Sequence, residues 1–417
     1  MIITILSDSP MLCTGYSNQS KMLSKYLEEK GHTIHWLANG YSGATMNGMK
    51  LDDGTELNCK IYGHSPSDQY FNRSISKHLK DTNSEIFFIL LDTFMLHGDP
   101  NNPQNGWFLK TDTSPAKTFF WFPSDGGSGM PDGCELILNK IDVPVAMARF
   151  GQKQVKDYYG IDAKHIPHGL DIKRFFKLTD EERTQARMKL GFNDKFVIGV
   201  VARNQPRKNL DRTIKAMSLI KTKIPNAVLY LHLDPSDPAQ PYSLNKLIVK
   251  YGLENRVFFS GMEAHKGFGW DKMNAVYGVM DCFFLSTSGE GFGIPIIEAM
   301  ACGVPVVATD YTTTPELVKR HNAGLGINLS GVEEQDMFLK PTQEYDINAF
   351  DGTQLGSWGV ERGFCSITDA AEKIKYLSEH PKECKEMGER GREAVLKEYD
   401  FEIVGKAWEE LFNDTSD

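Results

Sequence analysis

Ser286-Thr-Ser-Gly-Glu290-Gly-Phe-Gly-Ile-Pro295-Ile-Ile-Glu298-Ala-Met-Ala-Cys-Gly303-Val-Pro-Val-Val-Ala-Thr309 decides the fold of this chain. The apolar run Cys282-Phe-Phe-Leu285 just before it reads as a buried parallel strand. Gly289, Gly291 and Gly293 then alternate through a loop, where the backbone must turn sharply or let a ligand approach. Pro295 suits the first helical position and Gly303 the residue just past the end. Val304 to Ala308 reads as the next buried strand. A helix N-terminus therefore opens beside a glycine loop at the carboxyl edge of a sheet, where doubly wound folds bind anions.

Glu290 in the loop and Glu298 inside the helix flank that opening. A carboxylate repels phosphate but accepts hydrogen bonds from sugar hydroxyls. Acids near the positive end of a helix also serve stability alone. Taken with the glycine loop, they suit a ligand that is part phosphate and part polyol, such as a nucleotide sugar.

The run from Glu290 to Val307 resembles the signature of family-4-type retaining glycosyltransferases of the GT-B fold. It has two glutamates separated by seven residues, a small-residue helix and then Gly303-Val-Pro-Val. The resemblance implies an α/β fold of two Rossmann-like, doubly wound domains facing across a cleft. Residues 1–172 would form the acceptor-side domain and residues 173–399 the nucleotide-sugar domain. A last helix near 400–417 would pack back on the first.

Composition agrees with a globular enzyme. A chain of 417 residues exceeds one ordinary core. The net charge of −9 argues against a protein built to hold nucleic acid by its phosphates. The seven cysteines are scattered without a C-x-x-C, which points to free thiols in the cytoplasm rather than disulfides or zinc. The chain enters a strand at once, with no basic leader, and no apolar run reaches the length of a membrane span.

Strands are expected at residues 1–6, 33–38, 86–91 and 118–122, with a helix at 17–30 between the first two. This β-loop-α-β start lacks G-x-G-x-x-G, which disfavours a dinucleotide. Gly15 either forms a plain tight turn or, as the resemblance implies, lets the backbone approach the donor. Ser124 and Asp125 follow the strand at 118–122 and are acceptor-side candidates, or else cap a loop. The second series opens with the strand at 196–202 and Arg203-Asn-Gln-Pro-Arg207-Lys208-Asn209. This resembles the family's G-R-x-x-x-x-K-G, which implies that Arg203 and Lys208 bind the donor diphosphate. Asn209 departs from the family's glycine, and His168 stands where the family has asparagine. Gly261 and Met262 match the position along the nucleobase. Asp234 and Asp237 read as a turn rather than a metal pair. Residues 332–363 are polar and irregular, and there the resemblance lapses.

The resemblance thus implies a sugar transfer with no cofactor and no metal, a UDP-sugar being the expected co-substrate. Arg203, Lys208 and the Gly291-Phe292-Gly293-Ile294 amides would hold the leaving diphosphate, Glu298 the ribose and Glu290 the sugar. The sequence presents no covalent nucleophile, so same-face attack by the acceptor is expected. The acceptor stays open among a glycan, lipid, protein or modified DNA base. A sugar-nucleotide epimerase or a phosphorylase on the same fold, and a binding protein without turnover, are the competing readings.

Overall fold

A computed structural model of the chain describes residues 1–50, 54, 56–68, 70–97, 103–237, 243–261, 270–336 and 359–414. Met262 and most of the polar stretch after 332, with Phe350 and Trp358, lie outside them.

Residues 2–165 supply an eight-stranded sheet. Its strands are β1 (Ile2–Asp8), β2 (Thr33–Asn39), β3 (Met46–Lys50), β4 (Glu56–Tyr62), β5 (Ile86–Leu90), β6 (Lys117–Phe122), β7 (Val143–Ala146) and β8 (Lys164–His165). Their spatial order is β3-β4-β2-β1-β5-β6-β7-β8, parallel except for the β3–β4 pair. The continuous apolar runs follow from burial on both faces. Phe119 and Trp121 enter one core, while Phe120 and Phe122 enter the other.

A second, six-stranded parallel sheet uses β9 (Phe196–Val201), β10 (Ala227–His232), β11 (Val257–Phe259), β12 (Cys282–Leu285), β13 (Val306–Thr309) and β14 (Gly324–Ile327). Their order is β11-β10-β9-β12-β13-β14. Both sheets are doubly wound, and the strand order reverses between β1 and β5 in the first and between β9 and β12 in the second. Ligands bind outside the carboxyl ends of strands at such reversals.

The Phe401–Asp414 helix lies on the first sheet, where Trp408 packs edge-on to Phe88 and Phe412 to Phe119. Gln19 holds the crossing chain through both its amide atoms, with Nε2 donating to Gly169 O at 2.8 Å and Oε1 accepting from Gly169 N at 3.0 Å.

The region expected to be irregular after 332 begins and ends as regular structure. β15 (Leu329–Asp336) pairs antiparallel with β16 (Gly359–Cys365), making a ribbon. Its sequence hides this, because Val360 is buried while the β15 residues around Val332 are exposed and polar. The ribbon touches both domains. Gly127 N donates to Glu361 O at 3.2 Å, and Gly363 N donates to Ser288 O at 3.0 Å.

Candidate functional site

The loop after β12 is stitched to the loop after β9. Ser286 Oγ meets Thr213 Oγ1 at 2.6 Å and donates to Asn209 O at 3.0 Å. Ser288 N donates to Arg207 O at 2.7 Å. Thr313 Oγ1 donates to Phe292 O at 2.9 Å, and Glu290 N donates to Thr312 Oγ1 at 3.0 Å. Asn209 has φ +48°, a left-handed conformation that glycine enters freely and asparagine tolerates better than most residues. That accounts for asparagine at the family's glycine position.

The Ile294–Ala301 helix begins one residue earlier than Pro295 implied, with the proline in its first turn and Gly293 before it at φ +104°. Gly291 and Gly289 answer a different need from the one expected. A Cβ on Gly289 would sit 2.0 Å from Asp125 O, and one on Gly291 would sit 2.7 Å from Pro123 Cβ. The glycines admit the backbone of the opposite domain. Gly15 faces the same helix start, where its Cβ would lie 3.1 Å from Ile294 Cδ1. Gly15 itself opens the Gly15–Glu29 helix, so two helix N-termini converge on the cleft.

Two cations share one buried carboxylate here. Lys208 Nζ lies 2.6 Å from Glu290 Oε1, and Arg207 Nη1 lies 2.9 Å from Glu290 Oε2 and 3.1 Å from Gly289 O. Burial alone would push the Glu290 carboxyl up, but Arg207 and Lys208 outweigh it and hold it at about 2. Burial and the neighbouring Arg207 charge bring Lys208 down to about 8, against the pull of Glu290. The trio carries one positive charge in excess, an arrangement that accepts an anion.

Arg203 and Lys208 take different partners, Asp237 and Glu290. Arg203 is about half exposed and pairs with Asp237, Nε to Oδ2 at 2.6 Å. The second cation beside Glu290 is Arg207, which the spacing of the motif did not single out. A third is Arg362 on β16, 4% exposed, donating to Asp125 O at 2.8 Å and pairing with Asp125 Oδ2 at 3.3 Å. Nothing in the sequence marks Arg362, because it arrives from the ribbon.

Glu298 sits apart from this trio's hydrogen bonds and accepts from Tyr277 Oη at 2.5 Å. Burial raises its carboxyl to about 7, with the Tyr277 bond opposing. Gly261 has φ +75°, and no atom of the described residues lies within 4 Å of where a Cβ would stand. His168 is buried against Trp121 and Phe292, ring centroids 4.3 and 5.2 Å away, and burial lowers it to about 3. It is therefore a neutral packing group near pH 7.

On the first-domain edge, Ser124 Oγ is committed to Gln154 Oε1 at 2.6 Å, while Asp125 reaches the cleft. Sequence reading passed over Asp92, which follows β5 as Asp125 follows β6. It accepts from Tyr16 Oη at 2.7 Å. Asp8, at the end of β1, accepts from Thr14 Oγ1 at 2.7 Å and from Asn39 Nδ2 at 3.1 Å. The strand-end rule that selected Asp125 would have found both.

Among the described residues no three His, Cys, Asp or Glu side chains gather as a metal-ligating group. No helix among them is long and apolar enough to cross a membrane.

Residues 182–334 match the glycosyl transferases group 1 family, and residues 262–410 match the glycosyl transferase-like family. Mannosylfructose-phosphate synthase of Agrobacterium fabrum is 31% identical over 182 residues, 42% of this chain and 39% of that protein. A GDP-mannose-dependent phosphatidylinositol monomannoside mannosyltransferase of Corynebacterium glutamicum is 32% identical over 192 residues, 44% and 48% of the two chains. The matched stretches cover less than half of each of these curated relatives. Sucrose-phosphate synthase from Thermosynechococcus elongatus superposes with TM-score 0.71 at 16% identity over 99% of this chain and 98% of that one. Anabaena HepE in complex with UDP-glucose does so with TM-score 0.69 at 16% identity over 99% and 100%. The fold is GT-B, and the family matches support a group 1 glycosyltransferase, an enzyme of the glycosyl-transfer class.

Proposed function

We propose that the chain is a retaining glycosyltransferase of the family-4 type, moving a sugar from a nucleotide-sugar donor to an acceptor hydroxyl without a metal. The observation that carries this reading is the Arg207–Lys208–Glu290 trio, one charge in excess, beside the Ile294–Ala301 helix start at the β9/β12 reversal. A departing diphosphate gains negative charge as its bond to the anomeric carbon breaks. Arg207, Lys208 and the helix amides stabilise that charge without reorganising. Arg203 stands at the mouth of the same loop and meets the diphosphate from outside.

Both Glu290 oxygens are held by cations, yet each keeps a second lone pair for a hydroxyl of the transferred sugar. Glu298 is assigned to the ribose. The acceptor oxygen attacks on the face from which the diphosphate leaves, so one carbon–oxygen bond forms as the other breaks. The hydroxyl proton departs on the diphosphate, and configuration is retained. A donor of the UDP or GDP class fits this reading, given Anabaena HepE with UDP-glucose and the GDP-mannose-dependent relatives. All seven cysteines are free, which suits the cytoplasm.

The test is turnover of UDP-glucose and GDP-mannose, with the anomer of the product read by NMR and excess EDTA in a parallel series. Transfer or donor hydrolysis with retention, unchanged by EDTA, is expected. An inverted product, epimerised donor, or loss on chelation that manganese restores would overturn the reading.

A further inference from the structure

The first sheet has its own crevice at the β1/β5 reversal, and its chemistry is the opposite of the second's. Asp8 ends β1 and Asp92 follows β5, with Tyr16 and Tyr70 beside them, all part-exposed. Two buried groups there lack hydrogen-bond partners among the described residues. Asn39 is 8% exposed, and its Nδ2 bond to Asp8 fixes the amide in the crevice, but its Oδ1 is unpartnered. Thr93, 4% exposed and next to Asp92, has an unpartnered Oγ1. A buried polar atom without a partner is costly unless a ligand or water completes it.

Resting on the proposed transfer, we infer that this crevice binds the acceptor as an uncharged polyol, its hydroxyls held by Tyr16, Asp92 and Asn39. Carboxylates and an amide oxygen accept from several hydroxyls, and the Tyr16 hydroxyl exchanges roles as donor or acceptor. Phosphorylated sugars and DNA are disfavoured, because Asp8, Asp92 and Asp125 line the approach and the cations at its edge are already paired, Arg207 with Glu290 and Arg362 with Asp125. The crevice adjoins the donor trio, since Asp92 and Asp125 both feel the Arg207 charge. Burial pushes Asp92 up to about 6. The Tyr16 bond opposes that, Asp125 adds to it, Arg207 opposes, and Asp8 adds.

Donor consumption is measured with glucose, fructose and glycerol, and with glucose 6-phosphate and fructose 6-phosphate, in wild type, Asp92→Asn and Tyr16→Phe. Uncharged acceptors should raise consumption above hydrolysis. Each variant should raise their KM up to about tenfold, the loss of one hydrogen bond, while nucleoside diphosphate affinity by calorimetry stays unchanged. Asp92→Asn should also lose any acceptor KM dependence on pH near 6. Phosphorylated sugars or DNA serving better, or an acceptor KM indifferent to both variants, overturns the inference. If neither donor turns over, the proposed transfer fails instead. Saturation-transfer NMR of the same sugars, with nucleoside diphosphate present, then decides the crevice: binding lost in Asp92→Asn supports it, and no binding to wild type overturns it.

Discussion

The two sheets present the same kind of edge and oppositely charged sites. Outside β9 and β12 stand Arg207 and Lys208 around one carboxylate, and outside β1 and β5 stand Asp8 and Asp92 with amides and hydroxyls. The reversal of strand order places a crevice in each domain, whatever the loops contain. The residues from a strand's last position to seven places past it then choose its ligand. The scaffold supplies the location and the loops supply the sign.

The strongest way to break this contrast is Lys208→Ala. It leaves Glu290 buried with one cation and removes the charge excess, so kcat/KM for the donor should fall by roughly 2–4 kcal/mol of transition-state stabilisation. Initial rates with the active donor measure it, and a wild-type rate would leave the second crevice without its chemistry. Next come the two arginines. Arg207→Ala should cost about 2 kcal/mol in kcat/KM, since Arg207 also anchors Glu290 and Gly289. Arg203→Ala should cost about 1 kcal/mol, because that half-exposed side chain is already paired with Asp237. The reverse ranking would restore the pair that the motif spacing suggests.

A pH profile sharpens the contrast further. With Lys208 near 8, donor kcat/KM should fall as pH rises beyond about 8, approaching tenfold per unit, and Lys208→Arg should remove that limb. The smallest effect separates the two glutamates. Glu298 titrates in the fold near 7 against 4.5 unfolded, so the fold holds its proton more tightly. Its contribution is fully present below 4.5 and is lost as pH rises through 7. Glu298→Gln should therefore melt about 2–4 °C above wild type at pH 8 and close to it at pH 5, by calorimetry. Equal shifts at both pH values would mean that burial of Glu298 carries no charge penalty.

Both sheets were legible because their strands are buried on two faces and read as unbroken apolar runs, such as Phe119 to Phe122. The glycine loop was legible because three glycines, a proline and two glutamates constrain one turn. Arg207 was not, since neighbouring cations in a loop differ only in where the backbone aims them. Asn209 turns the chain at φ +48° just after the two cations, and its conformation is invisible in the letters. The β15–β16 ribbon was hidden because β15 carries charge on a solvent face, where strand periodicity fades. Arg362 joins the site across a large sequence separation, which no local pattern records.

The close approach of Gly289 to Asp125 O also makes a ruler of the cleft. A methyl group there would meet a carbonyl at 2.0 Å, and at Gly291 a proline Cβ at 2.7 Å, so neither fits unless the facing loop of the first domain is pushed back. Gly289→Ala is in effect a wedge one carbon thick, driven between the halves of the molecule. Backbone rather than flexible side chain receives it at Gly289, so a rotamer change cannot absorb the displacement. A protein propped open in this way would hold its diphosphate clamp and its carboxylate crevice intact but out of reach of each other, separating binding from reaction by geometry alone.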